Sequence, residues 1–501
     1  MTNTLFDALF SPLAGQGRPL FLQPDGTDIS GEAFLATIAQ AAHSLHKLGV
    51  VQGDRVAVQT SKSPEALAIY AACVGVGAVF LPLNTGYTPD EVDYFIGNAT
   101  PNVLICDPAR EAALTLLCQA HGTTLVTLDA AGQGSFANLM AGQPDSFTPN
   151  PCGPGDLAAI LYTSGTTGRS KGAMLSHGNL LSNAQVLARL WQFTDRDVLL
   201  HALPIYHTHG LFVASNVCLV SGATMIFLPG FEAGQVVDLL PRATAMMGVP
   251  TFYTRLLDHP RFTREGTAHI RLFVSGSAPL LAETHTAFEA RTGHRILERY
   301  GMTETNMNTS NPYFGDRRAG TVGFPLPGVE LRIMAEGAEV APGEVGGIEV
   351  RGPNVFQGYW QMPERTAEEL RPDGWFITGD LGQVDADGYL SIVGRAKDLI
   401  ISGGYNVYPR EVELLLDDVP GVLESAVIGL PHPDFGEAVF AILVHRPGEA
   451  VDIAAAEALL REKLARFKQP KALVVVPDLP RNTMGKVQKN LLREAYKGWF
   501  G

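Results

Sequence analysis

The stretch that decides the fold runs from Leu157 to Gly172 and reads LAAILYTSGTTGRSKG. It opens with five continuous apolar residues, which is typical of a buried strand. Glycines, hydroxyl side chains and two cations, Arg169 and Lys171, follow at once. Glycine lets backbone N–H groups approach a ligand, hydroxyls add donors and cations neutralise charge. The stretch therefore predicts a strand that leads into a polyphosphate-binding loop.

This loop has two alternative interpretations. It does not follow the Walker pattern GxxxxGK[ST], because Gly165 and Lys171 have the wrong spacing. A solvated linker rich in glycine, serine and threonine is the second alternative. Linkers rarely leave a buried strand carrying two cations, so phosphate binding is the preferred interpretation.

On either side of this loop, helical and strand patterns alternate through about the first 300 residues. Three helix-then-strand pairs precede it: GEAFLATIAQAAHSLHKLG with DRVAVQT, SPEALAIYAACVGVG with AVFLPLN, and TPDEVDYFIGNAT with PNVLICD. Such alternation predicts parallel sheets covered by helices.

The pattern changes near Gly323, where short alternating strands are separated by glycine and proline. After Arg395 helices and strands mix, as in PREVELLLDDVPG, ESAVIGLP and AVFAILVH. We predict an α/β protein with a large N-terminal domain, residues 1–394, built of helix-covered sheets with a β subdomain. A small, mobile α+β C-terminal domain, residues 395–501, follows a boundary between Gly394 and Lys397.

Composition excludes several classes of protein. The chain has 501 residues, 46% of them hydrophobic, and a formal net charge of −14. This charge argues against a nucleic-acid partner, because such proteins usually carry a basic face. The five cysteines show no CxxC spacing, so structural zinc and a disulfide framework are not expected and a reducing cytoplasm fits best.

A membrane location is not predicted either. The start, MTNTLFDALF, lacks a positive region followed by an apolar core and so does not read as a signal peptide. The apolar run from Ala66 to Leu83 is about long enough to cross a bilayer. Because Gly75, Gly77 and Pro82 interrupt it, we interpret it as a helix followed by a buried strand. We expect no stable membrane association, and no oligomeric state is predicted.

The chain resembles the acyl-adenylate-forming superfamily of acyl-CoA synthetases, luciferases and peptide-synthetase adenylation domains. The resemblance covers nearly the whole chain and rests on motifs in the family's order: YTSGTTGRSKG (162–172), LPIYHTHG (203–210), SGSAPL (275–280), ERYGMTET (298–305), GWFITGDLG (374–382), GRAKDLIISGGYNVYPREVE (394–413) and PRNTMGKVQK (480–489). It implies a site between a large and a small mobile domain, with ATP, Mg²⁺ and coenzyme A.

The resemblance also implies roles for individual residues. Glu304 is a hard oxygen ligand beside two hydroxyls, which suits Mg²⁺ on ATP phosphates, and the family places its magnesium carboxylate there. Asp380 and Arg395 correspond to the ribose-binding pair, although TGDLG is also ordinary turn chemistry. The implied ATP-binding residues are Thr163, Ser164, Gly165, Thr166, Thr167, Gly168, Arg169, Ser170, Lys171, Ser277, Ala278, Glu298, Arg299, Tyr300, Gly301, Thr303, Asp380 and Arg395.

Residues near the C-terminus correspond to the family's two half-reactions. Lys486, in the loop NTMGK, matches the adenylation lysine, whose ammonium can neutralise charge that develops at the α-phosphate. Lys397 matches the hinge about which the small domain swings. Gly403, Gly404 and Tyr405 belong to the segment that enters beside the pantetheine tunnel for thiol transfer.

His207 and His209 could suggest a metal pair. Their spacing suits a strand but not one helix face, and no third ligand cluster accompanies them. The family places a histidine at His207, lining the acyl pocket near the coenzyme A route, and we regard His209 as structural. The resemblance thus implies catalytic roles for Lys486, His207 and Glu304.

The acid is predicted from Arg255. It follows Thr251 by one helical turn in the segment VPTFYTRLL, and so shares a face with the helix start. An unpaired cation in an acyl pocket is costly, and a dicarboxylic substrate would supply its partner. The segment resembles the malonyl-CoA synthetase branch, in which an arginine here holds the far carboxylate. Ser277 belongs to the same implied pocket, and Thr208 and Met307 limit the C2 substituent.

The predicted reaction is therefore the ATP-dependent ligation of malonate to coenzyme A. Methylmalonate or another carboxylic acid, including an aryl acid, is the nearest alternative. A carrier-protein-loading adenylation enzyme is less favoured, because the chain ends soon after GKVQKNLLREAYKGWFG. A non-catalytic nucleotide-binding protein is opposed by the presence of Lys486, Glu304 and Asp380.

Overall fold

The computed structural model describes residues 2–163, 170–402, 405–482 and 485–500. Contacts divide the chain into two compact units, one formed by Met1–Glu330 and Val350–Phe376 and the other by Leu331–Glu349 and Ile377–Gly501. The predicted α/β class is confirmed, with a larger first unit of sheets and helices and a smaller second unit. The predicted domain boundary at 394/395 lies within the second unit and stays a prediction.

The first unit contains two sheets in its described part. Its strands are β1 (Pro19–Leu22), β2 (Asp28–Ser30), β3 (Arg55–Gln59), β4 (Val79–Pro82), β5 (Val103–Cys106), β6 (Thr124–Thr127), β7 (Leu157–Thr163), β8 (Lys171–Ser176), β9 (Val198–His201), β10 (Thr224–Phe227), β11 (Ala245–Gly248), β12 (Leu272–Ser275), β13 (Leu297–Met302), β14 (Asn306–Ser310) and β15 (Phe324–Pro325). One sheet has the order β6-β5-β3-β4-β7-β8, and the other β15-β14-β13-β12-β11-β9-β10-β1-β2.

Helices cover these sheets, as the alternation predicted. They are α1 (Thr4–Leu9), α2 (Gly31–Lys47), α3 (Pro64–Val76), α4 (Pro89–Ala99), α5 (Glu111–His121), α6 (Ser135–Met140), α7 (His177–Leu190), α8 (Asn216–Ser221), α9 (Ala233–Leu239), α10 (Pro250–Asp258), α11 (Arg264–Thr267), α12 (Ala282–Thr292) and α13 (Pro363–Glu369). A π-helix spans His209–Ser215, and 3₁₀ turns span Ser11–Leu13, Pro108–Arg110 and Leu240–Arg242.

The apolar run from Ala66 to Leu83 forms most of α3 and all of β4. Ser63 caps α3 by accepting a hydrogen bond from the Ala66 N–H, and Gly77 ends the helix in the left-handed conformation. Nearly every α3 side chain is buried, because the helix packs among other elements of the unit on all sides. In the described part of the chain, no helix has the length and apolar character needed to span a membrane.

The two strands of the phosphate-loop stretch, β7 and β8, are antiparallel. β7 and β8 pair with Thr163 opposite Lys171 and Tyr162 opposite Gly172. Residues 164–169, which connect them, lie outside the described residues, and the predicted ATP contacts of Ser164, Gly165, Thr166, Thr167, Gly168 and Arg169 lie there too.

The core of the second sheet packs around β9 and β11 to β13. Tyr253, Phe273 and Phe288 are buried there, with the ring centroids of Tyr253 and Phe288 5.4 Å apart and edge to face. Burying such aromatic surface supplies much of the stabilisation of a core.

The second unit contains most of the remaining elements. The strands are β16 (Glu330–Ala335), β17 (Ala338–Glu339), β18 (Gly346–Arg351), β19 (Phe376–Val384), β20 (Leu390–Arg395), β21 (Ile400–Ser402), β22 (Tyr405–Val407), β23 (Val422–His432), β24 (Gly436–His445) and β25 (Ala472–Val476). The helices are α14 (Pro409–Asp417), α15 (Ile453–Lys463) and α16 (Lys489–Tyr496), with a 3₁₀ turn at Ala396–Asp398. One sheet has the order β17-β16-β18-β19-β20; the other has β22-β21-β24-β23, with β25 paired to β24.

Candidate active site

The site of the first unit lies where four parallel strands end. Met247 of β11 pairs with His201 of β9, Gly248 pairs with Ser275 of β12, and Ser275 pairs with Glu298 of β13. All of these pairs are parallel, so the carboxyl ends of the strands share one edge of the sheet. Open α/β sheets bind ligands outside the carboxyl ends of their strands. The motifs around His207, Ser277 and Arg299 begin at this edge.

His209 and Ser277 contact each other at this edge. The Nδ1 atom of His209 lies 3.2 Å from the Ser277 hydroxyl oxygen. Burial lowers the pKa of His209 well below its usual value, and neighbouring Arg299 lowers it further, so the imidazole is neutral. Ser277 has a φ of 74°, a left-handed conformation that non-glycine residues seldom adopt. Such outliers concentrate at ligand sites.

Several buried polar atoms in this region have no hydrogen-bond partner among the described residues. They are Thr208 Oγ1, His209 Nε2, Ser275 Oγ, and Nε and Nη2 of Arg299. Buried polar groups in proteins are nearly always paired, so this cluster of unpaired groups indicates a polar binding site. The atoms include both donors and acceptors, which suits a small polar substrate.

Arg299 is the most informative of these residues. Its side chain belongs to a residue only 3% exposed, and it forms no ion pair with the described residues. Gly276 makes room for it, because a Cβ atom at Gly276 would lie 2.4 Å from the Arg299 Cζ atom. Burial lowers the pKa of Arg299 to about 9, which keeps the guanidinium mainly charged at neutral pH. The result is a buried cation without a carboxylate partner in the part of the chain that the structure describes.

The sequence prediction placed Arg299 with ATP and missed this feature. Its neighbour Glu298 points to the opposite face of β13, where one carboxylate oxygen lies 3.5 Å from His285 Nδ1. The sequence did contain a signal for this feature. Arg299 is a charged residue within the strand Leu297–Met302, whose first residues are buried. Arginine is almost never fully buried unless it is paired.

Arg255, the predicted carboxylate ligand, lies on the exposed side of α10. On α10 the buried side chains are Tyr253 and Leu256, whereas Arg255 is exposed. It forms no hydrogen bond or ion pair with the part of the chain that is described. An exposed guanidinium binds a carboxylate weakly, because water competes for both groups. Its role remains a prediction.

The predicted pocket residues Thr208 and Met307 are each 2% exposed, and His207 is half-buried. Thr208 lies one residue before the π-helix that begins at His209. π-Helical turns often occur at functional sites. The His207 Nδ1 atom lies 3.5 Å from the His209 N–H nitrogen, which links the two histidines locally.

The predicted magnesium ligand Glu304 is buried, with an exposure of 5%. The Tyr359 hydroxyl lies 3.0 Å from its Oε1 atom and 2.5 Å from Oε2 of Glu369. Burial raises the pKa of Tyr359, and the two carboxylates raise it further, so this hydroxyl keeps its hydrogen. Lys171 donates to the same hydroxyl at 3.0 Å and forms an ion pair with Glu369 at 3.1 Å.

A single carboxylate of this kind fits Mg²⁺. Among the described residues, no group of three or more acidic, histidine or cysteine side chains could hold a metal alone. Mg²⁺ is commonly bound by one or two carboxylates together with substrate phosphates and water. Glu304 would therefore hold the ion jointly with ATP.

The remaining predicted ATP residues of the first unit follow β7, β12 and β13. The Thr163 hydroxyl donates to the Lys171 carbonyl at 3.4 Å, and the Ser170 carbonyl accepts from the Tyr94 hydroxyl at 2.7 Å. Gly301 allows a close backbone contact, because a Cβ atom there would lie 1.9 Å from the Asn306 carbonyl oxygen. Ala278 follows Ser277, while Tyr300 and Thr303 lie in and just after β13.

In the second unit, Asp380 and Arg395 face each other across β19 and β20. Arg395 Nε lies 2.8 Å from Asp380 Oδ1, and its Nη1 donates to the Thr378 carbonyl at 3.3 Å. The Asp380 side chain is 5% exposed. The structure thus brings together the two residues predicted to bind ribose.

Lys397 lies in the exposed 3₁₀ turn Ala396–Asp398, where Arg493 anchors Asp398 through an ion pair of 2.6 Å. Tyr405 is 60% exposed. Gly403 and Gly404 lie outside the described residues.

Lys486 is exposed at the end of a tight turn. The Lys486 N–H donates to Asn482 Oδ1 at 2.9 Å, and the Asn482 N–H donates to the Lys486 carbonyl at 2.9 Å. Arg481 Nη1 donates to the Gly485 carbonyl at 2.7 Å. These bonds order the backbone on both sides of residues 483 and 484, which are not among the described residues.

The chain is similar to known proteins over most of its length. The family model described as AMP-binding enzyme matches residues 14–360, and AMP-binding enzyme C-terminal domain matches residues 411–486. A feruloyl-CoA synthase from Amycolatopsis sp is 37% identical over 481 residues, covering 94% of each chain. A malonate–CoA ligase from Arabidopsis thaliana is 35% identical over 480 residues, covering 89% of this chain and 79% of its own.

Solved structures resemble the whole chain. The crystal structure of ATP-bound MatB from Rhodopseudomonas palustris is 55% identical, covers all of both chains and superposes with a TM-score of 0.98. A benzoate CoA ligase from Burkholderia xenovorans LB400 is 26% identical, covers 98% of this chain and 100% of its own, and has a TM-score of 0.89.

Proposed function

This chain belongs to the AMP-binding enzyme family, and we propose that within it the protein ligates malonate to coenzyme A. The reaction passes through malonyl-adenylate and releases AMP and pyrophosphate. Support comes from the similarity to malonate–CoA ligases and to MatB over most or all of the chain. A feruloyl-CoA synthase is 37% identical to this chain and the malonate–CoA ligase is 35% identical, so the choice of acid needs an observation on the pocket itself.

The choice of acid rests on the Arg299 guanidinium, whose Nε and Nη2 atoms have no hydrogen-bond partner among the described residues. Leaving a buried cation without a partner is strongly unfavourable, and a bound carboxylate would remove that cost through a charge-assisted, bidentate pair. The carboxylate that reacts with ATP cannot also serve this purpose. A substrate with a second carboxylate fits, whereas an aryl or simple aliphatic monocarboxylic acid leaves Arg299 unpaired.

We therefore propose Arg299, in preference to Arg255, as the ligand of the distal carboxylate. Arg299 is buried beside His209 and Gly276, whereas Arg255 is exposed on α10. Buried Thr208 and Met307 are proposed to restrict the substituent at C2 of the acid. This assignment makes malonate the preferred dicarboxylate and leaves methylmalonate as the alternative.

Catalysis would consist mainly of positioning and electrostatic stabilisation, as expected for transfer at phosphorus. Glu304 would hold Mg²⁺, which neutralises charge on the ATP phosphates when bound. The Asp380 carboxylate would accept from the ribose hydroxyls, with Arg395 holding it in place at 2.8 Å. Lys486 would stabilise charge that develops as the malonate oxygen attacks the α-phosphorus. The coenzyme A thiolate then displaces AMP, with His207 beside its route.

The five cysteines support the proposal that the protein works in a reducing cytoplasm. All five are buried free thiols: Cys73, Cys106, Cys118, Cys152 and Cys218. Burial raises the pKa of Cys118 to about 11, so this thiol is unreactive at neutral pH.

A panel of acids tests the proposed function. AMP formation would be measured with malonate, methylmalonate, succinate, propionate and benzoate, each with and without coenzyme A. We expect malonate to have the highest kcat/KM and full turnover to require coenzyme A. Propionate or benzoate working as well as malonate would overturn the proposed dicarboxylate, and turnover independent of coenzyme A would overturn the thioester step.

The proposed hinge gives a separate prediction. Proline fixes φ, so Lys397→Pro should restrict the backbone and favour one of the two functional poses. Adenylation and thiol transfer should then change unequally, as measured by pyrophosphate release and by malonyl-CoA formation. Lys397→Ala serves as the control, because it removes the side chain but keeps backbone freedom. Unchanged rates in the proline variant would remove Lys397 from the hinge.

A further inference from the structure

Lys171, the predicted phosphate-binding cation at the start of β8, is already fully engaged. Its Nζ atom donates to the Tyr359 hydroxyl at 3.0 Å and to the Glu369 carboxylate oxygens at 3.2 and 3.1 Å. An ammonium group has three donors, and these three acceptors account for them. The ammonium also lies 4.1 Å from the centroid of the Tyr359 ring.

The positive charges around Lys171 are neutralised without ATP. Glu369 forms a second ion pair with Arg365 one turn earlier on α13, at 2.5 Å, and Arg365 also pairs with Glu368 at 2.5 Å. The two cations, Lys171 and Arg365, thus face three carboxylates, Glu304, Glu368 and Glu369. A cluster with no net positive charge has little attraction for a triphosphate, because the attraction depends on local charge.

Tyr359 connects this ion pair to the proposed magnesium ligand. Its residue is 2% exposed, and its hydroxyl contacts both Glu369 and Glu304. A hydroxyl has a single hydrogen, so it serves one carboxylate at a time, and the shorter contact assigns it to Glu369. Lys171 and Glu369 therefore fix the position of the Tyr359 hydroxyl. That hydroxyl in turn limits where the Glu304 carboxylate can lie.

Backbone hydrogen bonds hold the same parts together. The Trp360 N–H donates to the Gly172 carbonyl at 2.8 Å, and the Phe356 N–H donates to the Glu304 carbonyl at 2.8 Å. The segment containing Tyr359 therefore runs between β8 and the Glu304 loop. A displacement of the Lys171–Glu369 pair would therefore displace Glu304 as well.

We infer that Lys171, Tyr359 and Glu369 are positioning residues that orient Glu304, and that Lys171 does not bind the ATP phosphates directly. The inference rests on the proposed nucleotide role of Glu304 but not on the identity of the acid. It replaces the sequence-based role of Lys171 as a phosphate-neutralising cation.

The two roles of Lys171 predict opposite effects for Glu369→Gln. If Lys171 bound phosphate directly, removing its carboxylate partner would leave MgATP binding unchanged or tighter. If the pair positions Glu304, Glu369→Gln and Lys171→Met should each weaken MgATP binding by about tenfold. The double variant should be no weaker than either single variant, because both break the same unit.

Binding would be measured by calorimetry on the full chain, with MgATP and with ATP in the presence of a chelator. Glu368→Gln is the matched control, because Glu368 is an exposed neighbour that pairs with Arg365. It should leave both affinities unchanged. The losses in the Glu369 and Lys171 variants should be larger for MgATP than for metal-free ATP, since the proposed target is the magnesium carboxylate.

Tyr359→Phe supplies an independent variant that keeps the ring and removes the hydroxyl. It should reduce MgATP affinity without reducing metal-free ATP affinity, and thermal unfolding would verify folding. Tighter or unchanged MgATP binding in Glu369→Gln would overturn the inference. Loss of all nucleotide binding in the wild type would instead refute the proposed function, so the two failures are distinguishable.

Discussion

Arg299→Met is expected to lower kcat/KM for malonate by about 10²- to 10³-fold while sparing propionate. Methionine matches the length of the aliphatic stem but cannot pair with a carboxylate. The second charge of malonate would then be buried without a partner, at a cost of about 3–5 kcal/mol. Propionate brings no second charge, so it loses nothing and can gain from the apolar replacement.

This variant should remain folded. The Arg299 guanidinium has Nε and Nη2 atoms without partners among the described residues, so the change removes few interactions of the unliganded protein. Replacing a buried charge by an apolar side chain of similar volume is often neutral or stabilising. Thermal unfolding of the wild type and the variant would check this point.

Arg255→Ala is the matched control, since it removes an arginine from the same unit that is exposed on α10. We expect less than about a threefold change for either acid, in line with exposed charges. A proportional fall for malonate and propionate in Arg299→Met would make Arg299 structural. A selective loss of malonate activity in Arg255→Ala would instead support the assignment made from sequence.

The contrast between these arginines shows what the sequence could predict. The helices Gly31–Lys47 and Pro89–Ala99 follow from local periodicity and caps, and Pro64–Val76 follows from its Ser63 cap and the glycine that ends it. The structure has all three where the pattern placed them. Which arginine is buried depends on which elements pack together. That is a property of the tertiary fold, so the helical spacing of Arg255 carried no information on it.

The ion-pair cluster was beyond sequence reasoning for the same reason. Lys171 and Glu369 are 198 positions apart, and Tyr359 lies in a segment without a distinct pattern. The loop composition predicted Lys171 to be a cation that neutralises phosphate charge. Composition alone could not reveal that a carboxylate of α13 already neutralises it.

Lys486→Ala should reduce the formation of malonyl-adenylate by about 10²-fold or more, the usual loss for one preorganised charge. The proposed role of Lys486 is confined to the first half-reaction, where charge develops at the α-phosphorus. Attack of coenzyme A on preformed malonyl-adenylate should therefore proceed at the wild-type rate. The effect should appear in kcat for adenylation rather than in KM alone, because the charge acts in the transition state.

The structure indicates that Lys486→Ala can test catalysis without disturbing the turn that holds residue 486. The Lys486 side chain is exposed, and the turn is held by backbone groups and by the side chains of Asn482 and Arg481. Truncating Lys486 should therefore leave the fold intact. Lys463→Ala, which removes an exposed lysine of α15 paired with Glu462, is the matched control and should affect neither half-reaction.

The measurement follows pyrophosphate release with malonate and MgATP, and separately malonyl-CoA formation from synthetic malonyl-adenylate. A large loss in the first with no loss in the second would assign Lys486 to adenylation. Equal losses in both would mean that Lys486 acts on substrate binding common to the two steps. Because the second assay bypasses ATP chemistry, it also reports directly whether the thiol-transfer site of the variant is intact.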